Sequence, residues 1–148
     1  MRTLFHLTSC LVLLLPLAEA QKKIVEPEEF ARPGQDAPMF SPGILDGGTL
    51  YLSGQLGSDL KTRKIPDNFE AEVRTSLENI RVILKAVNMD YSDLVSVQIF
   101  LTDMSLFPRM NAVYSSLIKA PRPARATVGV AALASPQAHI EISAIARK

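Results

Sequence analysis

From Phe69 to Val87 the apolar residues fall at Phe69, Val73, Leu77, Ile80, Leu84 and Val87, in steps of four, four, three, four and three. That spacing keeps them on one stripe of an amphipathic helix of about five turns. A stripe of that length must be buried, and most of what surrounds it reads as strand. Upstream, "GILDGGTLYLSG" predicts a hairpin with Gly47-Gly48 at the turn and Leu50 and Leu52 on one strand face. A polar loop follows, with Asp67 or Asn68 as helix N-cap. Downstream, "LVSVQIFLT" predicts a strand, and Phe107 to Lys119 a second helix with Met110, Val113, Tyr114 and Leu117 on one side. "PRPA" stops that helix. "ARATVGVAAL" and "AHIEISAIA" then predict two last strands, separated by a turn at Ser135-Pro136. The order strand, strand, helix, strand, helix, strand, strand implies an α+β domain, a mixed sheet with two helices on one face. Nothing in the chain is left to cover the other face, so an oligomer that packs sheet faces together is expected.

The chain of 148 residues is one domain by length, and 47% apolar with 21% charged residues is an ordinary globular balance. Residues 1–20 differ: Arg2, then "CLVLLLPLA", then "AEA" before Gln21 have the layout of a secretory signal peptide. An uncleaved N-terminal anchor is the alternative. Cleavage predicts a periplasmic or secreted protein with no stable membrane insertion. Residues 21–38 read as a polar arm with a short strand around Ile24–Val25, and residues 39–148 as the domain. Removing residues 1–20 takes away Arg2, Glu19 and the only cysteine, Cys10, and leaves a net charge of +1. The mature chain then has neither disulfide nor thiol nucleophile. Its near-zero charge offers no footprint for nucleic acid or anionic membrane, so small partners are expected.

Chemistry-bearing residues are few. Strand alternation puts Arg125, Thr127 and Gly129 on one face, and His139, Glu141 and Ser143 on one face of the last strand. The plain reading is two solvated strand faces with at most a surface ion pair. A simple hairpin about Ser135-Pro136 would set Arg125 and Glu141 about five residues out of register, on the order of 16 Å apart. With His139 alone in the mature chain and no cysteine, a zinc site or a serine-histidine-acid triad is a poor fit. "SGQLG" lacks the spacing of a phosphate loop. Tyr51 and Tyr114 read as core or rim aromatics.

Five blocks, taken together, carry a resemblance: "FSPGILDGGTLYLSGQLG", "EVRTSLENIRVILKAVNMDYSDLV", "VQIFLTDMSLFPRMNAVY", "PARATV" and "HIEISAIA". In order and spacing they resemble the reactive intermediate deaminase family, RidA/YjgF, over roughly residues 38–147. The resemblance implies a chorismate-mutase-like α+β fold and a homotrimer with clefts between subunits. It implies hydrolysis of 2-imino acids, or their enamine tautomers, to 2-keto acids and ammonia, with no metal and no cofactor. Carried over, Arg125 matches the arginine that binds the substrate carboxylate, and Glu141 the glutamate that positions the attacking water. Asn111, Ser53 and Gly54 match cleft-lining positions. Phe40 falls where many members have tyrosine, and Thr127 where many have cysteine. Phe40 thus lacks a hydroxyl, while Thr127 suits a position that contributes mainly its backbone N–H.

The chemistry agrees with these roles. A guanidinium fork binds a planar carboxylate at two points, which lysine cannot do. An imine carbon is already electrophilic, so an oriented water and one proton acceptor suffice. Two other readings stand beside the deaminase: a small-carboxylate-binding trimer without turnover, and an endoribonuclease-type member, which the near-neutral charge disfavours.

Overall fold

The computed structural model describes residues 21–31 and 39–148. The expected signal peptide, residues 1–20, and residues 32–38 of the expected arm lie outside the described residues. Strands β1 (Lys23–Val25), β2 (Gly43–Asp46), β3 (Thr49–Leu56), β4 (Leu94–Leu101), β5 (Ala124–Gly129) and β6 (Ile140–Arg147) form one sheet in the order β1-β2-β3-β6-β4-β5. Neighbours are antiparallel except β4 and β5, which are parallel. Helices α1 (Phe69–Lys85) and α2 (Phe107–Leu117) cover one face, the expected α+β arrangement.

Local chemistry sets the joints. Gly47 and Gly48 take positive φ, 54° and 79°, in the two-residue turn between Asp46 and Thr49. The Asn68 side chain caps α1 by accepting from the Ala71 N–H at 2.9 Å. The helix ends at Lys85, two residues before the apolar stripe does, and Val87 packs on the core from the following turn. Leu50, Leu77, Ile99, Ile140 and Ile142 are fully buried between helices and sheet. Each such side chain contributes ~1.5–3 kcal/mol relative to exposure.

A turn does form at Ser135-Pro136, with the Ala138 N–H donating to the Ser135 carbonyl at 3.0 Å, but the last two strands do not pair as a hairpin across it. β5 ends at Gly129, and β6 inserts between β3 and β4. The β4–α2–β5 segment is a helical crossover, which returns β5 parallel to β4 at the sheet edge. β6, with Ile140, Ile142, Ala144 and Ala146 all buried, takes the centre.

Alongside its apolar stripe, α1 buries a second, polar one: Glu72, Ser76 and Asn79, at steps of four and three. Ser76 Oγ donates to the Gln55 carbonyl at 2.8 Å, and Asn79 Nδ2 to the carbonyls of Leu56 and Ser58 at 3.1 and 2.9 Å. Glu72 accepts from the backbone N–H of His139 at 2.7 Å and contacts His139 Nδ1 at 2.9 Å. These bonds tie α1 to the end of β3 and the start of β6. Among the described residues no helix covers the opposite sheet face, and Tyr51 and Val128 stand exposed on it.

Candidate active site

Glu141 lies between Ile140 and Ile142, both fully buried under the helices, so alternation turns its carboxylate to the uncovered face. On the neighbouring β3 the register slips: Leu52 pairs with Ala144, but Gln55 pairs with Ile142. Ser53 and Gly54 therefore form a bulge beside Ser143. Ser53 Oγ is committed to the Ser41 carbonyl at 2.6 Å, which docks the segment following Phe40 against the bulge. Phe40 itself is 62% exposed.

The Glu141 carboxylate lies across Gly54. A Cβ on Gly54 would stand 2.8 Å from Glu141 Cδ and 3.1 Å from Cγ, and closer still to Oε1. Burial pushes the Glu141 carboxyl above its ordinary 4.5. Among the described residues, no cation pairs with it and no donor reaches it. A half-buried carboxylate with raised pKa and free oxygens suits a proton acceptor.

Arg125 belongs to a different place. It pairs with Val97, whose side chain is buried under the helices, so it stands on the helix-covered side of edge strand β5. Its guanidinium carbon lies 4.7 Å from the ring centre of Tyr114 and 5.8 Å from that of Phe107, both on α2. No carboxylate pairs with it among the described residues. Thr127, two residues on, shares this side, and its Oγ1 is buried with no hydrogen-bond partner among the described residues. Asn111 follows Phe107 by four and precedes Tyr114 by three, which puts all three on one arc of α2.

The seven candidate residues thus fall into two groups. Ser53, Gly54 and Glu141 gather at the bulge on the uncovered face, with Phe40 close in sequence to that docked segment. Arg125, Thr127 and Asn111 gather along α2 and β5 on the covered side. Glu141 is level with Phe100, which is level with Val128, three residues along from Arg125 and two strands away. At ~3.3 Å per residue and ~4.8 Å per strand, the Cα atoms are about 14 Å apart, on opposite faces. One chain cannot pair these charges or close both around one small molecule.

Residues 32–148 match the family described as Endoribonuclease L-PSP. A 2-iminobutanoate/2-iminopropanoate deaminase of Homo sapiens is 36% identical over 115 residues, 77% of this chain and 82% of the relative. That of Dermatophagoides farinae is 35% identical over 107 residues, 72% of this chain and 83% of the relative. Among solved structures, RidA from Psychrobacter superposes with a TM-score of 0.77 at 32% identity, covering 85% of this chain and 100% of that one. E. coli TdcF with bound serine superposes with a TM-score of 0.76 at 32% identity, covering 85% and 98%. The chain belongs to the RidA/YjgF family.

Within this RidA fold, two features escaped the sequence. Tyr114, read as a core or rim aromatic, is buried and also carries Arg125 on its ring. His139, read as isolated, is held at Nδ1 by the buried Glu72. The spacing of Glu72, Ser76 and Asn79 was a usable signal for the second, since three polar residues repeat at helical period beside an apolar stripe.

Proposed function

We propose that the protein hydrolyses 2-imino acids, such as 2-iminopropanoate and 2-iminobutanoate, to 2-keto acids and ammonia at clefts between subunits of a homotrimer. One observation carries this reading. Among the described residues neither Arg125 nor Glu141 has an ion-pair partner, and they lie on opposite faces of one sheet, so each is half of a site that a second copy could complete. The exposed apolar residues of the uncovered face favour such docking. Relatives named for 2-imino acid deamination, and TdcF with bound serine, an amino acid with its own carboxylate, favour this chemistry.

In the proposed reaction the Arg125 fork binds the substrate carboxylate and presents the imine carbon to a water beside Glu141. Oxygen attacks the carbon as the water gives a proton to Glu141. Glu141 returns that proton to nitrogen, which gives a carbinolamine; it then takes the hydroxyl proton and passes it to the same nitrogen as the carbon–nitrogen bond breaks, so a keto oxygen forms and ammonia leaves. Water and imine are consumed one for one. Every step is served by the chain's own residues. A carboxylate-binding trimer without turnover is the second reading, favoured by Phe40, which has no hydroxyl to offer.

The test generates 2-iminopropanoate from alanine with an amino-acid oxidase and follows semicarbazone formation. The protein is expected to lower the semicarbazone rate, and Glu141→Gln to reduce turnover by ~10²–10⁴-fold. A wild-type protein that leaves the rate unchanged refutes the enzyme. Carboxylate binding without any such effect establishes the second reading.

A further inference from the structure

Arg125 sits near the start of an edge strand, with a long side chain and no acidic partner among the described residues. A guanidinium in that position is ordinarily free to sample many rotamers, and a ligand that uses it must fix it. Here it has a resting place. Tyr114 is only 3% exposed and anchored in the core, and its ring centre lies 4.7 Å from the guanidinium carbon. Phe107, two turns earlier on the same arc of α2, is 5.8 Å away. The Tyr114 hydroxyl is buried and has no hydrogen-bond partner among the described residues. Its ring, not its hydroxyl, is therefore what meets Arg125. The neighbouring cation, Arg122, is occupied by the Ile118 carbonyl at 3.1 Å, so it does not share this ring's role.

We infer that Tyr114, with Phe107 beside it, is a positioning platform that holds the Arg125 guanidinium ready for a ligand carboxylate. Stacking on an aromatic face leaves the edge of the guanidinium, and so its N–H fork, open for two-point bonding. The ring makes no contact with the substrate. It acts by reducing what must be ordered on binding, so the effect belongs in affinity and not in the chemical step. This rests on reading Arg125 as the carboxylate fork.

The experiment compares wild type, Tyr114→Phe, Tyr114→Leu and Phe107→Leu, with Arg125→Ala and the Tyr114→Leu/Arg125→Ala pair. Binding of 2-oxobutanoate is measured by calorimetry, imine hydrolysis by semicarbazone trapping, and folding by thermal melts. Tyr114→Phe keeps the ring and should bind within about twofold of wild type. Tyr114→Leu should raise Kd and KM by about tenfold with kcat within about threefold, and Phe107→Leu should do the same more weakly. On the Arg125→Ala background the leucine change should add nothing, because the group it positions is gone.

Wild-type affinity in Tyr114→Leu overturns the platform. So does Tyr114→Phe failing as badly as Tyr114→Leu, which would make the hydroxyl the working group. A full additional loss in the double variant also overturns it, by showing that leucine acts through the fold. The 2-oxobutanoate measurement needs no turnover. A wild type that binds it through Arg125 but hydrolyses no imine therefore sinks the deaminase and leaves the platform standing.

Discussion

Replacing Gly54 with alanine adds one methyl group where the Glu141 carboxylate now lies. The new Cβ would sit 2.8 Å from Glu141 Cδ. Ordinary carbon contacts begin at about 3.5–4.0 Å, so the carboxylate must retreat by roughly 1 Å. Gly54 is not among the positive-φ glycines, so its backbone accepts alanine, and the obstructing atoms belong to the free end of a side chain. Displacing a rotamer costs ~0.5–1.5 kcal/mol. Removing a glycine's freedom from the unfolded chain returns ~0.4–1 kcal/mol. The two nearly cancel, and Tm should move by no more than about 3 °C. Turnover should respond differently, because a shift of about 1 Å in a catalytic group can cost on the order of 10²-fold. KM should stay within about threefold, since Arg125 is on the other side of the sheet. Thermal melts and semicarbazone kinetics on wild type and Gly54→Ala measure both. A kcat within threefold of wild type refutes the reasoning, as does a large drop in Tm that accounts for the lost activity.

Arg125→Lys should lose nearly as much as Arg125→Ala, roughly 30- to 1,000-fold in kcat/KM for a bidentate pair worth on the order of 2–4 kcal/mol; full activity with lysine removes the fork. Because burial raises the Glu141 carboxyl above 4.5 and the base must be ionised, kcat/KM should fall as pH drops through a value higher than that. The same shift makes protonated Glu141 stabilising below its unfolded value, a contribution lost as pH rises through the folded one. The Tm advantage of wild type over Glu141→Gln should therefore shrink from pH 4 to 7. The mature protein should sediment as a trimer of roughly 40–45 kDa, and a monomer at micromolar concentration would leave Arg125 and Glu141 apart. Expressed from Met1 in a Gram-negative host, the protein should appear outside the cytoplasm beginning at Gln21; an intact Met1 in the cytoplasm excludes export.

What the sequence made legible is what a local period can encode. The stripe from Phe69 to Val87 gave α1, Gly47-Gly48 gave the hairpin, and alternation correctly sorted Ile140 and Ile142 from Glu141. Alternation also grouped Arg125 with Thr127. It could not say that this group faces α2, because that depends on β5 pairing in register with β4. Strand order was illegible for the same reason: nothing inside "ARATVGV" or "HIEISAIA" names a partner. The bulge at Ser53-Gly54 and the reach of Glu72 to His139 depend on residues far apart in sequence. The two groups of candidate residues could be named from resemblance, but their separation on two faces came only from topology.

The polar stripe of α1 also bears on how the fold chooses one arrangement. A helix whose buried side is wholly apolar can slip by one turn, about 5.4 Å, and still present oil to oil. Such a slip in α1 would take their side-chain partners from the carbonyls of Gln55, Leu56 and Ser58 and from the N–H of His139. A lost bond of this kind costs ~0.5–1.5 kcal/mol, so the four together come to several kcal/mol, a sizeable share of the ~5–15 kcal/mol that holds an ordinary domain. Ser76, Asn79 and Glu72 thus work as a key cut for a single lock position, and that position fixes the floor on which Gly54 and Glu141 meet.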